Sequence, residues 1–263
     1  MPPPDDTNAL ALRERYVTRL EDGSLQPSSA FIDLLSNNRQ NYDWPRNIGA
    51  ITSQRAILEL EAYTAQRMRS LNEKSAHEVV CKVSIWAGNN NAAQEVINNA
   101  PPDRRANLLE ALLKFRTFDT AEEVEAGIDL LRGPGISLVI ASKIYRFCCP
   151  SFRASVDRHA SYFFNSLDVW ESGHAVGKTT EFKREWSNAQ RNTSRLPIYI
   201  ESGYTHNLTE YIEKYLPLLV AIAGSLNHSG ITYRCAVAGS DMLWRPTDIE
   251  MAAYYWWALS GAR

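Results

Sequence analysis

Apolar residues recur every three or four positions along most of the chain, and this spacing predicts helices rather than strands. Thr120 stands three residues before Glu123 at the start of one such pattern, an arrangement typical of a capping box. We therefore expect a mainly α fold with short connections. Helices are predicted over residues 51–71, 102–115, 120–131, 137–147, 155–167, 208–226 and 246–259, and short strands over 195–200 and 231–237.

The most polar stretch, residues 171–194, interrupts this pattern, and we expect it to form an insertion or a mobile loop. Within it, residues 173–179 (GHAVGKT) are similar to a phosphate-binding loop, but they are one residue short of that motif and no predicted strand precedes them. A polar surface loop is therefore the favoured interpretation.

Composition and cysteine usage set further limits. The chain has 263 residues, of which 44% are hydrophobic and 22% charged, so it can bury a core as one large domain or two small ones. Its longest apolar run, residues 216–223, is far shorter than the roughly 20 residues that cross a bilayer, and we expect no membrane association. The four cysteines lack Cys-x-x-Cys spacing, which favours reduced thiols in a cytoplasmic protein.

The segment 131–164 is the most informative part of the chain. Gly133, Pro134 and Gly135 join two predicted helices, and a tight hairpin of this kind directs backbone N–H groups towards a phosphate. Although the net charge of the whole chain is −2, basic residues outnumber acidic ones between positions 132 and 158. This local excess predicts contact with a DNA backbone. It consists of Arg132, Lys143, Arg146, Arg153 and Arg158 against Asp157.

Two motifs in this segment resemble those of the helix-hairpin-helix DNA glycosylases, of the endonuclease III and 8-oxoguanine glycosylase type. Gly135-Ile136-Ser137, with Ala141 after it, matches the family's hairpin, except that Ser137 replaces the second glycine. Val156-Asp157-Arg158-His159 matches the motif that follows. The resemblance implies the glycosylase fold, in which two helical subdomains flank an active-site cleft. We expect one subdomain over 76–165 and the other over 1–75 together with 166–263.

The resemblance implies that Asp157 is the essential carboxylate. Breaking an N-glycosidic bond builds positive charge on the sugar, and a carboxylate in a dry pocket stabilises it. The alternative is that Asp157 only caps the N-terminus of a helix. The family's bifunctional members carry a lysine nucleophile where Val139 stands here, while Lys143 lies one helical turn later. Lys143 reaches into the site or pairs with Asp157 or a phosphate, and we expect a monofunctional enzyme.

Residues 84–93 (SIWAGNNNAA) resemble the triple-asparagine loop of the 8-oxoguanine branch. The resemblance implies that Asn89 fills the gap left by an extruded base, next to Asn90. A simple turn that caps a helix is the alternative. Gln94 stands where the family has an arginine. The expected DNA-binding residues are Asn89, Asn90, Gly133, Gly135, Ser137, Arg153, Arg158 and His159.

The last predicted helix is rich in aromatic residues. In the family this helix lines the base pocket, which implies that Tyr255 and Trp256 stack on the extruded base, although packing in the core is the more common role of such side chains. Residues 244–251 (WRPTDIEM) are similar to those of bacterial proteins with the 8-oxoguanine glycosylase fold, some of which act in phage defence by excising bulky modified cytosines.

Together these features predict a cytoplasmic, monomeric DNA glycosylase that hydrolyses the N-glycosidic bond of a modified base in double-stranded DNA and leaves an abasic site. Glucosylated hydroxymethylcytosine of phage DNA is the candidate substrate, and 8-oxoguanine repair is the alternative. A second alternative is a helix-hairpin-helix module that binds DNA without chemistry. We expect no organic cofactor and no metal cluster, while the resemblance leaves room for a monovalent cation at the hairpin.

Overall fold

The chain is mainly helical, which confirms the class predicted from the spacing of its apolar residues. A computed structural model describes residues 16–42, 53–88, 91–117, 120–185, 198–199, 204–235 and 237–259. Each predicted helix is present within those ranges, with ends that differ from the expected positions by a few residues.

The helices are α1 (Ser29–Gln40), α2 (Ser53–Arg69), α3 (Glu73–Trp86), α4 (Asn91–Asn98), α5 (Pro102–Thr117), α6 (Ala121–Leu131), α7 (Leu138–Cys148), α8 (Arg158–Ser166), α9 (Tyr204–Thr209), a π-helical segment (Glu210–Tyr215), α10 (Leu216–His228) and α11 (Pro246–Leu259). The strands are β1 (Val17–Arg19), β2 (Leu25–Pro27), β3 (Asp168–Glu171), β4 (His174–Lys178), β5 (Arg184–Glu185), β6 (Ile198–Tyr199), β7 (Tyr233–Cys235) and β8 (Ser240–Met242).

The backbone divides into two compact units, Met1–Tyr42 with Val156–Arg263, and Asp43–Ser155. We call them the terminal unit and the hairpin unit. These boundaries differ from the expected ones at 75/76 and 165/166. The difference arises because α2 packs against α3 and α7 of the hairpin unit, whereas α8 packs against α11 of the terminal unit. Asp157 therefore belongs to the terminal unit and the hairpin to the other.

The terminal unit contains a four-stranded sheet in the order β2-β1-β3-β4, with β1 parallel to β3 and the other pairs antiparallel. The expectation of a loop is wrong for residues 171–178, which belong to β3, β4 and the turn between them. That turn holds Ser172 and Gly173, both at positive φ (47° and 88°), as the two-residue turns of hairpins require. Residues 174–178 of the phosphate-loop-like sequence thus lie on an exposed strand.

A row of aromatic rings forms the core of the terminal unit. Phe163 packs between Phe31 of α1 and Phe164, with ring centres 6.1 Å and 5.0 Å apart, and Phe164 meets Tyr215 edge-on at 5.3 Å. Offset and edge-on arrangements of this kind suit the charge distribution of aromatic rings. They join α8 to α1 and to the π-helical segment that precedes α10.

The long helical stretch that carries α9 and α10 changes its winding before Pro217. Proline has no backbone N–H and its ring displaces the preceding turn, so a regular helix cannot pass through it undisturbed. Here the backbone N–H of Leu216 reaches the carbonyl of Tyr211, a π-helical bond, just before the proline. The apolar run 216–223 follows as a largely buried helix.

The hairpin unit is built on close packing between α5 and α6 and between α3 and α7. Gly127 of α6 lies so near Phe115 that an added Cβ would sit 2.5 Å from the ring. Phe115 in turn packs on Tyr145 of α7 at 4.6 Å, and Trp86 meets Phe147 edge-on at 4.8 Å. These contacts fix α7, the second helix of the hairpin motif, against the core.

Candidate nucleic-acid interface

The hairpin predicted at residues 133–137 is present between α6 and α7. Gly133 and Ile136 face each other, and each backbone N–H donates to the carbonyl of the other, at 3.1 Å and 2.9 Å. The side chain of Ser137 accepts from the N–H of Ile140 at 3.4 Å and caps α7. Serine at the position of the family's second glycine is therefore compatible with the turn, because here it serves as the N-cap.

The conformation and packing of the hairpin require glycine at position 135. Its φ of +79° is in the left-handed region, and a Cβ there would lie 2.8 Å from the carbonyl oxygen of Ala93 and 3.1 Å from Ile97. Both neighbours belong to α4, the helix that follows the asparagine loop. The structure thus packs the hairpin directly against the helix that carries the second sequence motif. Asn89 and Asn90 themselves lie outside the described residues.

Asp157 occupies the N-cap of α8, as the alternative interpretation expects. Its Oδ1 accepts from the backbone N–H of His159 at 2.9 Å and of Ala160 at 3.0 Å, and only 6% of the residue is exposed. Both bonds use the same carboxylate oxygen. The cap therefore accounts for an aspartate at this position on structural grounds, and it also holds the carboxylate in one direction.

His159 and Arg158 lie beside this carboxylate in sequence and interact with each other. Arg158 is exposed, and its Nε donates to Nε2 of His159 at 3.2 Å. The ring of His159 meets Tyr254 of α11 edge-on at 4.9 Å, and Tyr254 also contacts Tyr42. Sequence reasoning missed Tyr254, because a run of consecutive aromatic residues does not show which one faces the neighbouring helix.

The two predicted base-stacking residues are half-buried on α11. Trp256 packs edge-on against Phe163, with ring centres 5.5 Å apart, so part of its surface serves the core, as the alternative expects. Tyr255 lies one residue earlier on the same helix. Tyr254, on the same helix, is the aromatic residue seen in contact with the ring of His159.

A buried ion cluster fixes the start of α11 and gives Arg245 and Asp248 a structural role. Asp248 is fully buried, and it accepts from Arg39 at 2.8 Å and from Arg245 at 2.9 Å. Burial alone raises the pKa of Asp248, but the two guanidinium groups outweigh it and hold the value at about 2. Trp244 is buried as well, and its backbone N–H donates to Asn227.

Of the basic residues counted in the hairpin segment, two are buried in α7. Arg146 is 1% exposed and donates to Glu61 at 2.8 Å, so its charge is paired inside the unit. The Nζ of Lys143, also buried, lies 5.7 Å from the ring centre of Trp86. Counting charges along the sequence therefore overstated the positive surface.

Arg153 is half-exposed and held in place by two partners. It donates to the hydroxyl of Tyr145 and to the carbonyl of Phe152. Phe152 itself is 66% exposed. Arg132, beside the hairpin, and Arg158 are exposed, so the basic side chains at the surface of this segment are these three.

The carbonyls around the hairpin already accept hydrogen bonds from the protein itself. Arg104 of α5 donates through Nη1 to the carbonyl of Leu130 at 2.6 Å and through Nη2 to that of Leu131. The carbonyl of Gly133 accepts from the N–H of Ile136, and the carbonyl of Ile136 accepts from the N–H of Gly133. A metal ion at this position would have to share its oxygens with a guanidinium. Sequence reasoning missed Arg104, which lies outside the motif.

Comparison with protein-family models, with curated proteins and with solved structures gives no match for this chain. Within the described residues no cluster of histidine, cysteine, aspartate or glutamate has the geometry to hold a metal ion. No helix in the same part of the chain is both long and apolar enough to cross a membrane.

Proposed function

We propose that this chain is a monofunctional DNA glycosylase that removes a modified base from double-stranded DNA. The observation that carries the proposal is the tight turn between α6 and α7, in which Gly135 has a left-handed backbone and packs against the helix after the asparagine loop. Two sequence motifs that resemble one family, far apart in the chain, are thus in contact. A chance likeness of either motif alone would not require this contact.

The hairpin and the start of α7 supply the backbone contact. N–H groups in the first turn of a helix, together with its dipole, bind phosphate without reading the base sequence. The exposed Arg132 and Arg158 and the half-exposed Arg153 add positive charge to the same segment. Binding through these groups is expected to weaken steeply as the salt concentration rises.

Asp157 is the proposed catalytic carboxylate. As the base leaves with the electron pair of the glycosidic bond, positive charge develops on the sugar and the carboxylate stabilises it. Water then adds to the sugar carbon and loses a proton, which balances the proton that the departing base takes up. The products are the released base and an abasic site in an otherwise intact strand.

The chain is proposed to leave the strand uncut because Val139 stands where the bifunctional enzymes have lysine. Lys143 lies on the same helix, but its amine is buried next to Trp86. Its Nζ lies 5.7 Å from the ring centre of Trp86, so this lysine is engaged with that ring, one helical turn away from the position of the family's nucleophile.

The proposed substrate is a hypermodified cytosine of phage DNA, such as glucosylated hydroxymethylcytosine, on the likeness of residues 244–251. Oxidised purines are the alternative substrate. A second candidate function, a DNA-binding module without chemistry, is favoured by one observation: the N-cap bonds of Asp157 explain this residue without catalysis.

Alkali treatment of three DNA substrates tests the proposal, because alkali cuts the strand at abasic sites. The substrates are phage DNA with glucosylated hydroxymethylcytosine, the same DNA unmodified, and a duplex with one 8-oxoguanine. We expect alkali-dependent fragments from the phage DNA alone. Asp157→Asn should abolish them and keep the affinity for DNA. Intact DNA in all three reactions, with binding preserved, would favour the non-catalytic module.

A further inference from the structure

The guanidinium of Arg104 is bound to the C-terminal end of α6, immediately before the hairpin. It donates to the carbonyls of Leu130 and Leu131, the last two residues of that helix. The same group lies close to the turn, since a Cβ added to Gly133 would be 3.2 Å from its Nη2. Arg104 thus contacts the backbone on the incoming side of the hairpin.

These carbonyls need a positive partner. The last carbonyls of a helix have no partner within the helix, and the helix dipole makes that end negative. Helices often end in a glycine turn that satisfies them, but here the chain leaves α6 through Arg132 in an extended conformation. Arg104 supplies two N–H donors and a full charge at this place.

Among the described residues, no carboxylate forms an ion pair with Arg104, and burial is the cause that lowers its pKa. An arginine remains protonated despite such a shift. Arg104 also lines a cavity of about 370 Å³, with apolar neighbours that include Ile97, Leu108 and Pro134, and apolar surroundings screen a charge less than water does.

We propose that Arg104 serves as a built-in cation of the hairpin, so that this turn binds a DNA phosphate without a metal ion. That the ligand of the hairpin is a DNA phosphate rests on the proposed function. Arg104 is a positioning residue: its guanidinium holds the end of α6 and adds its field to that of the N–H groups at the start of α7. A metal ion on the carbonyl of Leu131 would meet this guanidinium at close range, and like charges exclude each other.

Thermal unfolding in three chloride salts tests the proposal without DNA. The wild-type chain is melted at one ionic strength in KCl, in NaCl and in tetramethylammonium chloride, whose cation is too large for a carbonyl site. An ion that binds the folded state raises its Tm. We expect the same Tm in all three salts. A higher Tm in either alkali chloride would overturn the proposal.

DNA binding supplies the second readout, by fluorescence anisotropy of a labelled, unmodified duplex in the same three salts. Wild-type affinity should not depend on the cation. Arg104→Met should lower it about tenfold, because the change removes a positive charge beside the turn and releases the end of α6. The matched control is Arg116→Met, which removes the same charge from an exposed site about 18 Å along α5. It should change the affinity less than twofold.

An Arg104→Met variant that binds DNA as well as the control would overturn the proposal. Circular dichroism of both variants checks that the helices are intact. A wild-type chain that binds no duplex in any of the salts contradicts the proposed function instead, and the melts then still decide whether an alkali ion binds the folded chain.

Discussion

The start of α11 and the hairpin before α7 hold arginines in opposite ways. In the terminal unit, Arg39 and Arg245 both donate to the carboxylate of Asp248, so each guanidinium has an acidic partner within the protein. In the hairpin unit, the acceptors of Arg104 among the described residues are backbone carbonyls. The first arrangement stabilises the fold. In the second, no described carboxylate pairs with the guanidinium, which lies beside a turn whose N–H groups suit a phosphate, and this difference separates a structural cluster from a proposed binding site.

The largest expected effect comes from removing the carboxylate that Arg39 and Arg245 share. Asp248→Asn leaves two guanidinium groups without their acid, and we expect a loss of about 3–5 kcal/mol in the free energy of unfolding, measured with urea. DNA affinity under folding conditions should not change. Asp241→Asn is the control, since its pair with Arg234 is exposed on both sides and is worth at most about 1 kcal/mol. Equal losses in both variants would contradict the comparison.

Acid should weaken the same cluster in a defined range. The folded-state pKa of Asp248, about 2, is below the value of about 3.9 for an unfolded chain, so its contribution is complete above pH 4 and disappears as the pH falls through 2. That contribution amounts to about 2–3 kcal/mol. Urea titrations between pH 5 and pH 2 should show this decline in the wild type. A decline of the same size in Asp248→Asn would assign it to other carboxylates.

A substitution in the hairpin is expected to lower the stability less than Asp248→Asn does, and to lower the DNA affinity more. Gly135→Ala forces a side chain into a left-handed backbone and against Ala93, at a cost of about 1–3 kcal/mol. Because the turn must shift, its N–H groups move and DNA affinity should fall at least tenfold. Gly230→Ala is the control: φ is +70° there, but open space surrounds it. If the two variants bind duplex DNA equally, the hairpin is not the binding site.

The helices were predictable from the sequence because their signals are local. The spacing of apolar residues and the caps at Thr120 and Ser137 involve neighbours within a few positions. The four-stranded sheet was not predictable, since its short strands pair across distant parts of the chain, as Val17 does with Val169. Strands of three residues also carry too few positions for a pattern of alternation.

For the candidate site, the hairpin turn was predictable from the sequence, but the set of charged side chains at the surface was not. Gly135 and Asp157 stand in motifs, and their positions in the structure have local causes. Arg146 was counted as surface charge because its partner Glu61 lies 85 positions away. Arg104 gave no signal at all, since its acceptors are backbone carbonyls, which every residue has.

The most direct test of the proposed activity is mass spectrometry of the small molecules released from phage DNA that contains glucosylated hydroxymethylcytosine. We expect release of the modified base itself, without sugar-phosphate, by the wild-type chain and no release by Asp157→Asn. Two results would contradict a glycosylase. One is the release of nucleotides in place of a free base; the other is that no base is released, either from this DNA or from a duplex containing 8-oxoguanine.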